Sequence, residues 1–195
     1  MRAIFGIGNP GSAYSETRHN VGFMILDKFA ELNKLKFRTS KFKYYYAEGS
    51  ISASPFFLIK PTTYVNLSGE AALSFVEKHK IDIQDLLVVC DDVNFSEGEV
   101  RLKITGGDAG HKGLKSIIYH LQSNQFPRIR FGVGSNFESG NLSEYVLDKF
   151  ENNTFDLIEN SIKFAVVLIE KFILYGTKGM LDYYSDHTQK NVRQL

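Results

Sequence analysis

MRAIFGIGNPGSAYSETRHNVG, residues 1–22, sets the reading of the rest of the chain. Arg2 to Ile7 is a short apolar run ended by a glycine turn and predicts a strand. Asn20 is placed to cap a helix carried by Met24, Leu26, Phe29 and Ala30 to about Asn33. A strand that passes through a tight glycine turn into a helix opens an α/β fold. Gly6-Ile7-Gly8-Asn9-Pro10-Gly11 also matches the dinucleotide pattern G-x-G-x-x-G. That pattern needs its third glycine to open a helix, and an acid about 20 residues on at the end of a second strand. Here Ser12, Ala13 and Tyr14 read as loop, and Asp27 and Glu31 fall inside the helix. The segment is better read as a strand-to-loop turn that exposes Asn9.

Working outward, strands are predicted at 43–52, 56–60, 86–91, 99–104 and 128–134. Pro61 stops the second of these. The run 86–91 scarcely alternates and is expected at the centre of the sheet. Ser68 is a candidate cap for a helix to about His79, and Thr154 for a long final helix that Gly176 ends. A further helix follows the glycine-rich turn 105–110, from about His111 to Leu121. Several strands are adjacent without a helix between them. The fold expected is therefore an α/β single-domain sandwich, 1–195, with a mixed, twisted central sheet flanked by helices. The polar tail 180–195 is expected to be loosely held.

The chain has 195 residues, 43% of them hydrophobic, and can bury a sizeable core. Its one cysteine, Cys90, allows no internal disulfide; with no targeting segment and no run apolar enough to span a bilayer, it reads as cytoplasmic. The net charge is only +1 but unevenly spread. Lys34, Lys36, Arg38, Lys41 and Lys43 form one basic run, which a solvated face explains. Arg101, Lys103, Lys112, Lys115, Arg128 and Arg130 form a second, while acids gather after Glu138.

Four short motifs carry chemistry. His19 stands at the carboxyl end of the first strand, where open sheets bind ligands, and an imidazole can take a proton from water near neutral pH. Asp91 and Asp92 end the central strand; one can orient a histidine while the other serves the turn. Asn66, in the loop 61–69, can offer its amide to a substrate or satisfy its own loop. The turn before His111 presents helix amides, with Lys112 and Lys115 beside them, to an anion such as phosphate. No G-x-S-x-G or metal-ligand spacing is present, so no nucleophilic serine, metal or cofactor is expected.

In order, GIGNPGSAYSETRHNVGF, KPTTYVNLSG, VVCDDV, GGDAGHKGLKSI and FPRIRFGVG closely resemble the bacterial-type peptidyl-tRNA hydrolase family, over the chain to about Phe150. The resemblance implies a monomeric enzyme that cleaves the ester joining a peptide to the ribose of tRNA. It implies that His19 activates water and that Asp91 orients it. Asn9 and Asn66 would position the peptide and the water, with Tyr14 beside the ester. Val65 and Lys112 stand at substrate-facing positions where the family usually has methionine and asparagine. Lys103 and Arg130 match residues that clamp the tRNA phosphate. An ammonium cannot accept a hydrogen bond as an amide can. Lys112 is instead placed to stabilise an oxyanion or phosphate, and to depress the pKa of His19 by repulsion. Two rival readings are an RNA-binding relative without turnover and a nucleotide-dependent oxidoreductase. The intact set Asn9, His19, Asn66 and Asp91 favours the enzyme over the first; the failed glycine pattern disfavours the second.

Overall fold

The structure, a computed structural model, describes the chain to Val192 and its side chains to Thr188. Its strands are β1 (Arg2–Gly6), β2 (Arg38–Thr39), β3 (Tyr44–Ile51), β4 (Ser54–Pro61), β5 (Leu86–Asp92), β6 (Val100–Lys103) and β7 (Arg128–Gly132). The longer helices are α1 (Val21–Leu32), α2 (Ser68–His79), α3 (Lys112–Leu121), α4 (Leu142–Leu147) and α5 (Phe155–Val192). The seven strands form one mixed sheet in the order β2-β3-β4-β1-β5-β7-β6. β4, β1, β5 and β7 run parallel; β2 and β3 extend one side, and β6 the other, antiparallel.

Alternation along the strands builds a core on each face of the sheet. Ile4, Leu87, Val89, Ile129 and Phe131 pack with α1 and α5 through Ile25, Phe29, Ile169 and Phe172. Ala3, Phe5, Val88 and Cys90 pack the other way with α2 and α3 through Phe75, Leu114 and Ile117. Each Val, Leu, Ile or Phe among them contributes about 1.5–3 kcal/mol on full burial, so both helical layers are firmly seated. β5 is buried at every residue, as its unbroken apolar run predicts.

Local expectations are corrected in five places. Asn20 precedes α1 but makes no side-chain cap; its amide serves the first loop instead. Ser68 is the first residue of α2, not its cap, and its buried hydroxyl has no partner. Thr154 lies in a short turn before α5, its hydroxyl donating back to the Glu151 carbonyl. β4 is longer than predicted, starting at Ser54, because it closes as a hairpin with β3 on Ser52 and Ala53, both at positive φ. The helix does break at Gly176 (φ 72) but resumes. What reads as a polar tail is helical to Val192, with Met180 buried and the Tyr184 hydroxyl donating to the Val100 carbonyl at 3.0 Å. Residues 193–195 of that tail lie outside the described chain.

Candidate active site

The first loop is drawn onto the parallel strand ends. Ile7 N–H donates to the Val89 carbonyl across β1 and β5. Gly22 lets α1 begin there: a Cβ would lie 2.5 Å from the Ile7 oxygen and 2.7 Å from the Val89 oxygen. Asn20 closes the loop, accepting from Asn9 N–H at 2.8 Å and donating to the Asn9 carbonyl at 2.9 Å. Asn9 is therefore buried, not an exposed loop residue, and its side-chain oxygen accepts from Val65 N–H at 3.0 Å. With that oxygen engaged, the Asn9 NH2 group is the end left for the cavity.

His19 sits in the short turn Arg18–Asn20 and meets Asp91 from β5: Nδ1 lies 2.8 Å from Oδ1. A second imidazole, which sequence reasoning missed as a site residue, shares that oxygen. His111 Nε2 lies 2.9 Å from it. The other ring nitrogen of His111 accepts from Gly113 N–H and Leu114 N–H at 3.0 and 3.2 Å, capping α3. An atom that accepts two amide protons carries none, so His111 is the Nε2–H tautomer and donates to Asp91. The expected anion contact at the head of α3 is corrected by the same observation, because the amides of Gly113 and Leu114 are taken by His111. The signal for His111 was the GHKG run itself, a histidine placed at a helix start.

Asp91 is 3% exposed. Burial by itself raises its pKa, but the charges and hydrogen bonds of His19 and His111 outweigh it and hold the carboxyl well below the usual range. For His19, burial acts downward most strongly, Asp91 acts upward through charge and hydrogen bond, and Lys112 acts downward; the balance is a raised pKa. The repulsion expected from Lys112 is present, but Asp91 wins. With Nδ1 committed to Asp91, Nε2 is the nitrogen that can receive a proton. One ligand atom each from His19, Asp91 and His111 lies within 4.8 Å of the others, the spacing of a metal site. These atoms, however, hydrogen-bond to one another, and His111 Nε2 bears a proton, so the donor set does not fit a cation without a change of tautomer.

Asp92, one residue on, has different partners. It accepts from Asn94 N–H and Asn94 Nδ2, both at 2.9 Å. Its second oxygen lies 2.5 Å from Arg130 Nε, close as an ion pair but out of line for a hydrogen bond.

A cavity of about 330 Å³ opens over these groups. Asn9, His19, Asn66, Lys112 and Arg130 supply polar lining, with Val65 at the floor. Asn66 and Lys112 are exposed and Val65 is buried. Leu142, Val146 and Leu147 of α4 form an apolar wall that the sequence did not reveal. That wall is tied to the turn that carries His19: Arg18 stacks over the Tyr145 ring at 4.3 Å and pairs with Glu97, and Arg18 N–H donates to the Asp148 carbonyl. Two expected site residues are not among the lining. Tyr14 is half-buried in the turn Ser12–Tyr14, its carbonyl accepting from Thr17. Lys103 lies exposed on β6, outside the cavity. In the β6–β7 register Lys103 opposes Arg128, and Arg101 opposes Arg130. Like charges directly opposite are unfavourable by themselves, but Arg101 pairs with Glu99 and Arg130 with Asp92, which relieves the repulsion. Arg128 is buried and holds the turn before α3, donating to the Gly107 carbonyl at 2.7 Å.

A model of the family described as peptidyl-tRNA hydrolase matches residues 3–192. The peptidyl-tRNA hydrolase of Alkaliphilus metalliredigens is 39% identical over 95% of this chain and 100% of its own length. That of Clostridium botulinum is 39% identical over 95% of this chain and 96% of its own. The crystal structure of peptidyl-tRNA hydrolase from Acinetobacter baumannii superposes with a TM-score of 0.86 at 32% identity, covering 92% of each chain.

Proposed function

The chain belongs to the peptidyl-tRNA hydrolase family, and from that premise we propose that it hydrolyses the ester of peptidyl-tRNA with His19 as general base. The observation that carries the reading is the His19 Nδ1–Asp91 Oδ1 contact of 2.8 Å beside an open cavity. Asp91 fixes the tautomer of His19 and stabilises the imidazolium that forms. His19 Nε2 takes a proton from a water molecule as that water attacks the ester carbonyl. The proton then passes from Nε2 to the departing ribose 3′ oxygen, leaving free peptide and tRNA. General base catalysis supplies about 10²–10⁴-fold, and donors set in place for the oxyanion supply more. The fixed Asn9 amide, Asn66 and Lys112 are the donors placed for this, with Val65 and the α4 wall against the peptide. Tyr14 takes no part in this reading.

The tRNA is held through its phosphates by Lys103 of β6 and Arg130 of β7. Such contacts carry little sequence information and suit an enzyme that accepts many tRNAs. No described helix is long and apolar enough to cross a membrane. The reading includes a monomer acting in the cytoplasm, which the free, buried Cys90 supports. The purified protein is expected to release peptide from N-blocked aminoacyl-tRNA in the presence of a chelator. Binding of the tRNA without ester cleavage would instead favour an RNA-binding protein, and dependence on added metal would contradict the role given to the His19–Asp91–His111 cluster.

A further inference from the structure

We propose that Lys112 is the counter-charge that keeps the general base free: its ammonium, in the same cavity as His19, opposes the hold of Asp91 on the imidazolium. This rests on the reading of His19 as base. A buried carboxylate at 2.8 Å is a strong trap for a proton on His19. An imidazole that stays protonated cannot accept a proton from water, so orientation by Asp91 comes with a loss of free base near neutral pH. A cation near the ring, and off the carboxylate, restores the balance without disturbing the hydrogen bond.

Lys112 is where such a charge must be. It follows His111 directly, and His111 shares the Asp91 oxygen with His19, the two rings lying 5.2 Å apart. Lys112 and His19 both line the cavity, and Lys112 joins no ion pair among the described residues. The amino-terminal end of α3 adds partial positive charge of the same sign. The other charged groups around His19 are largely paired. Arg130 faces Asp92, and Arg18 faces Glu97. On α1, Asp27 pairs with Lys60 and Lys28 with Glu31. On the α4 side stand Glu144, Tyr145 and Asp148, and Lys115 lies further along α3. Of these charges, Lys112 acts on His19 against the pull of Asp91.

The test reads His19 itself. Imidazole resonances of the five histidines are followed by NMR against pH in wild type, Lys112→Met and Lys112→Arg, with His19 identified from its loss in His19→Ala. The His19 midpoint should move up in Lys112→Met and stay near wild type in Lys112→Arg. In parallel, kcat/KM of Lys112→Met should show, on top of any pH-independent loss of an oxyanion donor, an extra deficit of about three-fold at pH 6 that closes as pH rises through the new midpoint. An unmoved midpoint overturns the proposal. So does a deficit that is equal at all pH values, lies in KM and vanishes in high salt, which would make Lys112 a phosphate contact. If His19→Ala keeps its turnover, the base assignment fails separately, while the midpoint still decides whether Lys112 and His19 are coupled.

Discussion

Asp91 and Asp92 are adjacent carboxylates at the buried end of one strand, and they do opposite things. Successive side chains of a strand point to opposite faces, so the two meet different company. Asp91 holds two imidazoles on one oxygen, and one of them, His19, keeps a ring nitrogen free at the cavity. Asp92 holds a guanidinium and the Asn94 amide, which stay as they are. Residue type and burial are nearly the same; the partners alone set the two apart.

The sharpest way to break this contrast is to neutralise each acid. Asp91→Asn should lower kcat by about 10²–10⁴-fold with the fold intact, because the amide favours the wrong tautomer of His19. Asp92→Asn should instead leave Arg130 as a poorly paired cation and lower stability by about 3 kcal/mol, seen in urea unfolding, with activity at low temperature within about ten-fold of wild type. If both variants lost turnover equally and neither lost stability, the two acids would not be distinct. Arg130→Ala should show a mixed result: a higher KM with weaker salt dependence, from the lost phosphate contact, plus a stability cost from orphaned Asp92. A changed kcat at constant KM and constant stability would contradict both roles. His111→Ala should cost about 1 kcal/mol through the lost α3 cap, together with a fall in kcat smaller than that of Asp91→Asn, measured on the same preparations.

The smallest effect concerns pH. Because the folded-state pKa of His19 is raised, its contribution to stability is present below the unfolded value and is lost as pH rises through the folded one. The lowered pKa of Asp91 gives a contribution present above the ordinary carboxylate range and lost as pH falls. Thermal unfolding should therefore show a His19–Asp91 contribution confined to a window from above the ordinary carboxylate range up to the raised pKa of His19. Asp91→Asn should flatten the curve across that window. Free base increases with pH, so kcat/KM of the wild type should climb through the same upper edge.

How much of this could be read from the chain differs between the two acids as well. The strand end and its burial were legible from strand hydrophobicity, a local signal; that Asp91 is the acid that meets His19 was implied only by the resemblance of the ordered motifs to the family. Which acid took which partner was not, since that depends on β7 and α3 arriving beside β5. His111 was missed for the same reason: next to a glycine turn, a histidine reads as a helix start, and its second nitrogen is visible only in space. Asn20 and Ser68 resembled caps, but tertiary contacts overrode the local preference. Asn9 was read as exposed, yet Asn20 and Val65 draw it in. The Ser52–Ala53 hairpin lacked the glycine or asparagine that normally marks positive φ. Residues 180–192 looked like a tail because their polar composition hides the buried Met180 and the anchoring Tyr184.

The central claim, that His19 held by Asp91 activates the water, is tested most directly by single-turnover cleavage of N-blocked aminoacyl-tRNA with wild type and His19→Ala side by side. The predicted result is a loss of several orders of magnitude in the cleavage rate with tRNA binding retained. Cleavage by His19→Ala at a rate near that of wild type would contradict it.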